Sequence, residues 1–303
     1  MENLVRTQSR SLIKWRIARC AIFLFGHRDV IRRPHIFLTL LLFASALAAC
    51  SSILPTAAPV PVSPTASTPG HWTPPLEASW HIQYSGEIDT ALPVDIYNLD
   101  LFDTSPQTIA DLHARGVKVM CYFSAGSFED WRPDAANFPA SVLGNNLEGW
   151  PGEKWLDIRN LQTLAPIMLE RIALAAQKGC DGVDPDNVDG YANDSGFPLA
   201  AEDQIAYNIF LSTTAHQNGL GIGLKNDLEQ IPILLPFFDW ALNEECFYYK
   251  ECHLLQPFVE AGKPVFVIEY NLTPEEFCFQ SIDLNFNALQ KKMELDAFRF
   301  PCR

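Results

Sequence analysis

The sequence predicts a single α/β domain, a (β/α)8 TIM barrel, behind a lipoprotein signal and a flexible linker. Three observations lead to this fold class. Short strand-like segments alternate with helical stretches along the chain, several helices end at a glycine before the next strand, and most predicted strands end in a polar side chain. The repeating region spans about 230 residues, which suits one barrel.

The chain begins with a targeting signal. Residues 36–48 form an apolar run that follows Arg32 and Arg33, and Leu47-Ala48-Ala49-Cys50 closes it. This pattern is typical of a secretory signal, and the run is shorter than the roughly 20 residues that span a bilayer. Its end resembles the lipobox of bacterial lipoproteins, which implies that Cys50 is lipidated. We therefore assign residues 1–49 to the signal region, with Val30 as an alternative start.

Residues 50–72 follow as a tether rich in Pro, Ser, Thr and Ala, a composition that cannot bury a core. Residues 73–303 then form the barrel domain. We expect an exported protein that is lipid-anchored at the bacterial cell envelope, or secreted if the anchor is cleaved, and that touches the membrane only through its lipid.

Charge separates along the same boundary. The chain carries 22 Lys/Arg and 36 Asp/Glu, of which eight basic and two acidic residues lie in residues 1–50, so residues 51–303 carry a net charge of −20. Such acidity argues against a nucleic-acid partner. It favours a cationic or neutral partner, although acidity can also serve solubility alone.

The predicted strands cover residues 80–84, 94–99, 117–123, 182–185, 221–224, 240–242, 264–269 and 297–300. The predicted helices include residues 105–115, 161–178, 200–218, 228–235 and 254–261. Glycines follow four of these helices, at Gly116, Gly179, Gly219 and Gly262. No GxGxxG or GxxxxGK[ST] motif follows a strand in the sequence, which excludes the commonest nucleotide-binding folds.

Six cysteines fall in the barrel domain, and pairing is expected in an exported protein. Cys246 and Cys252 bracket a five-residue loop, and Cys278 and Cys302 bracket the last helix and strand, so we predict these two disulfides. Cys121 and Cys180 lie in apolar, strand-like contexts and are predicted to be buried thiols. No cysteine or histidine spacing is typical of zinc, and we expect no metal or other cofactor.

In a (β/α)8 barrel the chemistry lies at the carboxyl ends of the strands. Residues 180–191 hold four carboxylates there, and acids this close shift one another's pKa. The segment is not an EF-hand loop, because with Gly190 at the sixth position the first position falls on Pro185. Polar residues at the other strand ends are Gln83, Asp100, Tyr122, Ser124, Lys225 to Asp227, Asn243 to Glu245, Glu269 and Tyr270.

Two carboxylates from different strands suit cleavage of a glycosidic bond, because one can protonate the leaving oxygen while the other attacks carbon or activates water. Asp186 and Glu244 are the best pair, since each ends a predicted strand beside an asparagine, Asn187 and Asn243. Exposed tryptophans stack on sugar rings, and Trp131 and Trp150 in the loop region 124–157 are the best candidates.

Six segments match one family in order and spacing over residues 80–270: WHIQYSG (80–86), CYFSAGS (121–127), WLDIR (155–159), GCDGVDPDNVDGY (179–191), GLKN (223–226) and WALNE (240–244). They resemble the endo-α-1,4-polygalactosaminidase family of glycoside hydrolases. The resemblance implies a (β/α)8 barrel that cleaves α-1,4-linked galactosamine polymers, with Asp186 as nucleophile and Glu244 as acid/base.

The strand-end positions and the resemblance together assign the remaining polar residues. Relatives often carry Glu at position 184, and the shorter Asp184 favours binding over catalysis. The expected substrate-binding residues are Gln83, Asp100, Tyr122, Asp157, Asp184, Asn187, Lys225, Asn243 and Glu269, whereas Asp181 and Asp189 shape the turn. Two alternatives remain, a non-catalytic polysaccharide-binding barrel and a glycosidase for another α-linked sugar; the intact pair Asp186 and Glu244 favours an enzyme.

Overall fold

The computed structural model describes residues 70–303. The predicted signal region, the lipidated Cys50 and all but the last residues of the tether lie outside the described residues. None of the helices within residues 70–303 is long and apolar enough to cross a membrane.

Eight parallel strands form the main sheet and confirm the predicted (β/α)8 barrel. The strands within residues 70–303 are β1 Trp80–Gln83, β2 Ile96–Asp100, β3 Lys118–Ser124, β4 Ser127–Glu129, β5 Leu143–Asn146, β6 Glu153–Leu156, β7 Gly182–Asp186, β8 Gly221–Lys225, β9 Trp240–Glu244, β10 Val265–Glu269, β11 Asn287–Gln290 and β12 Phe300–Pro301. The sheet order is β1-β2-β3-β7-β8-β9-β10-β11, with β12 antiparallel on β11.

The helices connect these strands in the pattern of βα units. They are α1 Pro106–Ala114, α2 Leu161–Lys178, α3 Ala201–Gln217, α4 Ile231–Leu234, α5 Cys246–Tyr249, α6 Gln256–Glu260 and α7 Pro274–Asp283. Two predicted helices, 228–235 and 254–261, are broken into short α and 3-10 turns. Pro232, Pro236 and Pro257 lie at the starts of these pieces, because proline has no N–H to continue a preceding helix.

The seam between β1 and β11 is bridged by side chains. The indole Nε1 of Trp80 donates to the Asn287 carbonyl oxygen at 2.9 Å, and the Asn287 side-chain amide donates to the Leu76 carbonyl oxygen at 3.1 Å. Arg299 Nε donates to the Trp80 carbonyl oxygen at 2.9 Å. The first bond joins β1 to β11, and the other two attach the segments that flank these strands.

Seven predicted strands are confirmed within about two residues, but the eighth was placed wrongly. The last parallel strand is β11, not residues 297–300, whose end belongs to the short antiparallel β12. The sequence Asn287-Ala288-Leu289-Gln290 has no β-branched or aromatic residue, so its strand propensity is weak. It becomes a strand because its neighbours bury it almost completely.

Alternate residues of each strand fill the barrel interior, which packs Trp80, Ile82, Ile96, Met120, Trp240, Leu242, Phe266, Ile268 and Leu289 together. Glycines on β7 and β8 leave room for the Trp240 indole. A Cβ on Gly223 would lie 2.1 Å from Trp240 Nε1, and one on Gly182 would lie 2.6 Å from Trp240 Cη2. The indole therefore closes the barrel beneath the strand ends.

The structure confirms the disulfides Cys246–Cys252 and Cys278–Cys302 and corrects the prediction for the other two cysteines. Cys121 and Cys180 are also bonded, with Cα atoms 6.0 Å apart. Cys121 lies on β3, and Cys180 enters β7, the strand that pairs with β3. This pairing brings two sequence-distant cysteines within the distance that a disulfide spans.

Residues 127–156, predicted as a loop, contain a second sheet. Strands β4, β6 and β5 pair antiparallel in that order. Buried Arg132 joins this sheet to the barrel, because it donates to Asp100 at the end of β2 and to Glu129 on β4. The insertion is therefore attached to the carboxyl end of the barrel, beside the strand ends.

Candidate active site

The two predicted catalytic carboxylates end strands that flank β8. Asp186 is the last residue of β7 and Glu244 the last residue of β9, while Lys225 ends β8 between them. Lys225 Nζ lies 3.1 Å from Asp186 Oδ1 and 3.3 Å from Glu244 Oε2. The lysine ammonium therefore bridges the two acids.

Lys225 is the central cation of this site. Its side chain is buried, which alone would lower its pKa, but the carboxylates of Asp186, Glu244 and Asp184 outweigh burial and raise it. The ammonium group therefore stays charged and offsets the repulsion between the acids.

Asp184 lies two residues before Asp186, on the same face of β7 and fully buried. Its Oδ2 accepts hydrogen bonds from Asn98 Nδ2 at 2.8 Å and from the Tyr84 hydroxyl at 3.4 Å, while its buried Oδ1 has no partner among the described residues. Burial raises the pKa of Asp184 to about 6, against the opposing effect of Lys225. The neutral and the charged form are thus both accessible near neutral pH.

The turn after β7 fixes the orientation of Asp186. Asn187 adopts a left-handed conformation with φ 60°, and its backbone N–H donates to Asp186 Oδ1 at 2.8 Å. Its side-chain amide donates to Ser124 Oγ at 3.0 Å and to Ser127 Oγ at 3.2 Å. A Cβ on Gly126 would lie 1.6 Å from the Asn187 carbonyl oxygen, so this close approach requires glycine.

The buried acid Glu153 contacts this turn through Ser127. Ser127 Oγ donates to Glu153 Oε2 at 2.8 Å, and Glu153 lies on β6 of the inserted sheet. Burial raises the pKa of Glu153 to about 7, with further contributions from the charges of Glu129 and Asp186. The insertion therefore connects to Asp186 through Ser127 and Asn187.

Three tyrosines line the same face. The rings of Tyr84 and Tyr122 lie 4.3 Å apart, and Lys225 Nζ is 6.0 Å from the Tyr122 ring centre. The Tyr270 hydroxyl donates to Glu244 Oε1. Burial, together with the nearby carboxylates, raises the pKa of all three phenols well above the usual value, so they remain protonated.

Of the predicted residues, the structure brings Asp186, Glu244, Lys225, Asp184, Tyr122 and Asn187 into one network. Sequence reasoning missed Tyr84 and Asn98, and it placed Tyr270 at a strand end without giving it a role. A signal for them existed: side chains alternate along a strand, and these residues share the inward face with the barrel interior.

The other predicted residues make contacts of a different kind. Gln83 Nε2 donates to the carbonyl oxygens of Ser85 and Glu87, both at 2.9 Å. Asp100 accepts two hydrogen bonds from the Arg132 guanidinium, at 3.1 and 2.8 Å. Both side chains are buried in these contacts and hold the loops around the site. Substrate contact at Gln83 and Asp100 stays a prediction.

Three further predicted residues also bond to the protein itself. Asp157 pairs with Arg159 at 2.7 Å, and Asn243 donates to Asn226 Oδ1 at 3.1 Å. Glu269 accepts the backbone N–H of Phe247 at 2.8 Å, at the start of α5. Their binding roles stay predictions, as does sugar stacking on Trp131 and Trp150, whose side chains are about half exposed.

Comparison with known proteins agrees with this geometry. The family model of glycoside-hydrolase family GH114 matches residues 62–303. A crystal structure of Aspergillus fumigatus Ega3 in complex with galactosamine is 42% identical, covers 77% of this chain and 98% of that chain, and has a TM-score of 0.74.

A more distant structure, the glycoside hydrolase domain of PelA from Pseudomonas aeruginosa, is 17% identical over 73% of this chain and 97% of that chain, with a TM-score of 0.59. At this identity it supports the fold alone. A search of curated proteins found no match.

Proposed function

Because the chain belongs to glycoside-hydrolase family GH114, we propose that it is an endo-acting hydrolase of α-1,4-linked galactosamine polysaccharide. The observation that carries the proposal is the pair Asp186 and Glu244, joined by Lys225 at the carboxyl ends of three consecutive strands of the barrel. This is the place where barrel enzymes carry out chemistry, and two carboxylates are the groups that glycoside hydrolysis uses.

The substrate class rests on similarity and charge. Ega3, which is 42% identical, was solved with galactosamine. Galactosamine with a free amine is cationic, and residues 51–303 carry a net charge of −20. Asp184, buried on the same strand face as Asp186, adds a further acid beneath the pair.

With Asp186 as nucleophile, the role that the family resemblance implies, the mechanism is retaining. Asp186 attacks the anomeric carbon while protonated Glu244 gives its proton to the departing glycosidic oxygen, which leaves a covalent glycosyl ester on Asp186. Glu244 then takes a proton from water as the water oxygen attacks the anomeric carbon, which breaks the bond to Asp186 and releases its carboxylate. Lys225 and the Asn187 N–H both bind Oδ1 of Asp186, which leaves Oδ2 for the attack.

Two isosteric substitutions test the assignment. In a digest of partly deacetylated α-1,4-galactosamine polymer, Asp186→Asn and Glu244→Gln should each lower kcat by at least about a hundredfold. Wild type should release internal fragments of mixed length. Glu260→Gln, an exposed acid at the end of α6, is the matched control and should keep wild-type activity.

The outcomes separate the alternatives. Equal activity in wild type and both site variants would show that Asp186 and Glu244 are not the catalytic pair. If wild type gives no product from any galactosamine polymer, two readouts decide between the remaining functions: release of another α-linked sugar indicates a different glycosidase, and binding without release indicates a non-catalytic barrel.

We also propose that the protein is exported and anchored through a lipid on Cys50. Three disulfides within the described domain support an oxidising compartment. Replacing Cys50 by Ser should move the protein from the membrane fraction to the soluble fraction, whereas Cys20→Ser should not. Equal fractionation of the two variants would rule out an anchor on Cys50.

A further inference from the structure

Two histidines and one aspartate meet at the opposite end of the barrel from the catalytic pair. His216 lies in the last turn of α3, Asp239 directly precedes β9, and His71 stands near the start of the described residues. Because β9 begins here and Glu244 ends it, this cluster lies at the amino ends of the strands. We call these three residues the floor cluster.

The floor cluster has a compact geometry. His71 Nε2 lies 3.0 Å from Asp239 Oδ1, and His216 Nε2 lies 2.9 Å from Asp239 Oδ2. The two imidazole rings are nearly parallel, with centres 3.9 Å apart. One ligand atom from each residue can be chosen so that all three lie within 4.8 Å of one another.

Two imidazole nitrogens and one carboxylate oxygen are a donor set that zinc accepts. Zinc bonds of about 2.0–2.2 Å place tetrahedral ligand atoms roughly 3.3 Å apart, so the cluster needs a movement of the order of an ångström to close on an ion. Its histidine side chains are 26% and 28% exposed, which leaves a path for the ion and room for a water ligand.

The backbone of β8 holds the Asp239 carboxylate in place. The Ile222 N–H lies 3.0 Å from Asp239 Oδ2 and fixes the orientation of the carboxylate. Backbone support of this kind is typical of metal ligands.

We propose that His71, His216 and Asp239 bind a divalent transition-metal ion, zinc by their chemistry, and that the ion holds the start of the domain on the barrel. His71 is followed by Trp72, whose ring lies 5.9 Å from the ring of Trp240. A Cβ on Gly221 would lie 2.3 Å from the Trp72 carbonyl oxygen, so glycine admits this segment to the barrel floor. The ion fixes the point at which the tether joins the catalytic domain.

Calorimetric titration of the EDTA-treated full chain with zinc tests the site. Wild type should bind one zinc ion. His71→Gln and His216→Gln should each weaken its affinity by at least about a hundredfold, which is more than the loss of a residue that only hydrogen-bonds to a ligand costs. Glutamine keeps an N–H donor for Asp239 but is a poor zinc ligand, so the hydrogen bonds and the fold survive. His113→Gln is the matched control, because His113 also bonds an aspartate, Asp181, at 2.7 Å.

A second measurement does not depend on any variant. Zinc-soaked crystals of the wild-type chain should show anomalous density between the three side chains, and zinc should raise Tm. Binding that is equal in wild type and in both glutamine variants would overturn the proposal. The absence of zinc binding by wild type would also overturn it, and the floor cluster would then act only through its hydrogen bonds.

Discussion

At the scale of single residues, the direction of a side chain decides its role more than its chemistry does. Glu269 and Tyr270 are neighbours at the end of β10, and the sequence prediction favoured the carboxylate. Phe266 and Ile268 face the barrel interior, so the next inward residue is Tyr270, and its hydroxyl bonds Glu244. Glu269 faces outward and caps α5 instead.

Tyr270→Phe tests this assignment. We expect kcat to fall about ten- to a hundredfold, the value of a hydrogen bond to a charged group, while Tm stays close to that of wild type. Tyr248→Phe is the control, since Tyr248 lies on α5, directly after β9, and is 42% exposed. If the two variants are equally active in steady-state kinetics, Tyr270 has no part in the reaction.

Asp227 shows a different effect of burial, on stability. It lies after β8, is 4% exposed and accepts one hydrogen bond, from Asn208 at 2.9 Å. Burial, with a contribution from the charge of Asp189, raises its pKa to about 9. The folded state therefore holds a proton that the unfolded state releases near pH 4, and stability falls as pH rises between these values.

Asp227→Asn should remove this loss. Asparagine can still accept from Asn208 and carries no charge, so its gain in Tm over wild type should grow between pH 5 and pH 8. Thermal unfolding at both values measures the difference, with Asp103→Asn, whose side chain is 82% exposed, as control. A gain that is the same at both pH values would show that the buried charge is not its cause.

At the scale of elements, the sequence predicted what repeats and missed what depends on neighbours. The order helix, glycine, strand repeats along the sequence, so seven parallel strands and α2 could be located from it. Strand β11 could not, because burial rather than propensity makes it a strand. The inserted sheet of β4, β5 and β6 escaped notice because its strands are short and largely polar.

The same distinction separates the parts of the sites. Asp186 and Glu244 could be found because each ends a strand, and strand ends of a barrel meet. The disulfide between Cys121 and Cys180 and the floor cluster join residues far apart in sequence, so no local spacing reveals them. Only the pairing of β3 with β7, and the return of α3 toward the start of β9, bring these side chains together.

The disulfide between Cys121 and Cys180 should stabilise the barrel most. It closes 59 residues, whereas Cys246–Cys252 closes six. The loop-entropy relation gives about 4 kcal/mol for the longer loop and about 2 kcal/mol for the shorter one. Urea unfolding of the two double Cys→Ala variants measures both losses, and a larger loss for Cys246 and Cys252 would contradict this ranking.

At the scale of the whole molecule, charge and the active site act in the same direction. The net charge of −20 on residues 51–303 attracts a polycation over long distances, and the strand ends hold Asp184, Asp186 and Glu244. Attraction of this kind raises the rate at which enzyme and substrate meet, but it does not alter the chemical step once substrate is bound. Its effect should therefore appear in kcat/KM and not in kcat.

Salt separates these two quantities. The screening length falls from about 30 Å at 0.01 M to about 3 Å at 1 M salt, so kcat/KM on deacetylated polymer should fall at least about tenfold over this range. The value of kcat should change little, because the contacts between Lys225 and the two carboxylates are short and partly buried. The fully N-acetylated polymer is the neutral control, and its kcat/KM, or its Kd where no turnover occurs, should not depend on salt. If both polymers respond equally, salt acts on the enzyme itself and the acidic surface does not steer the substrate.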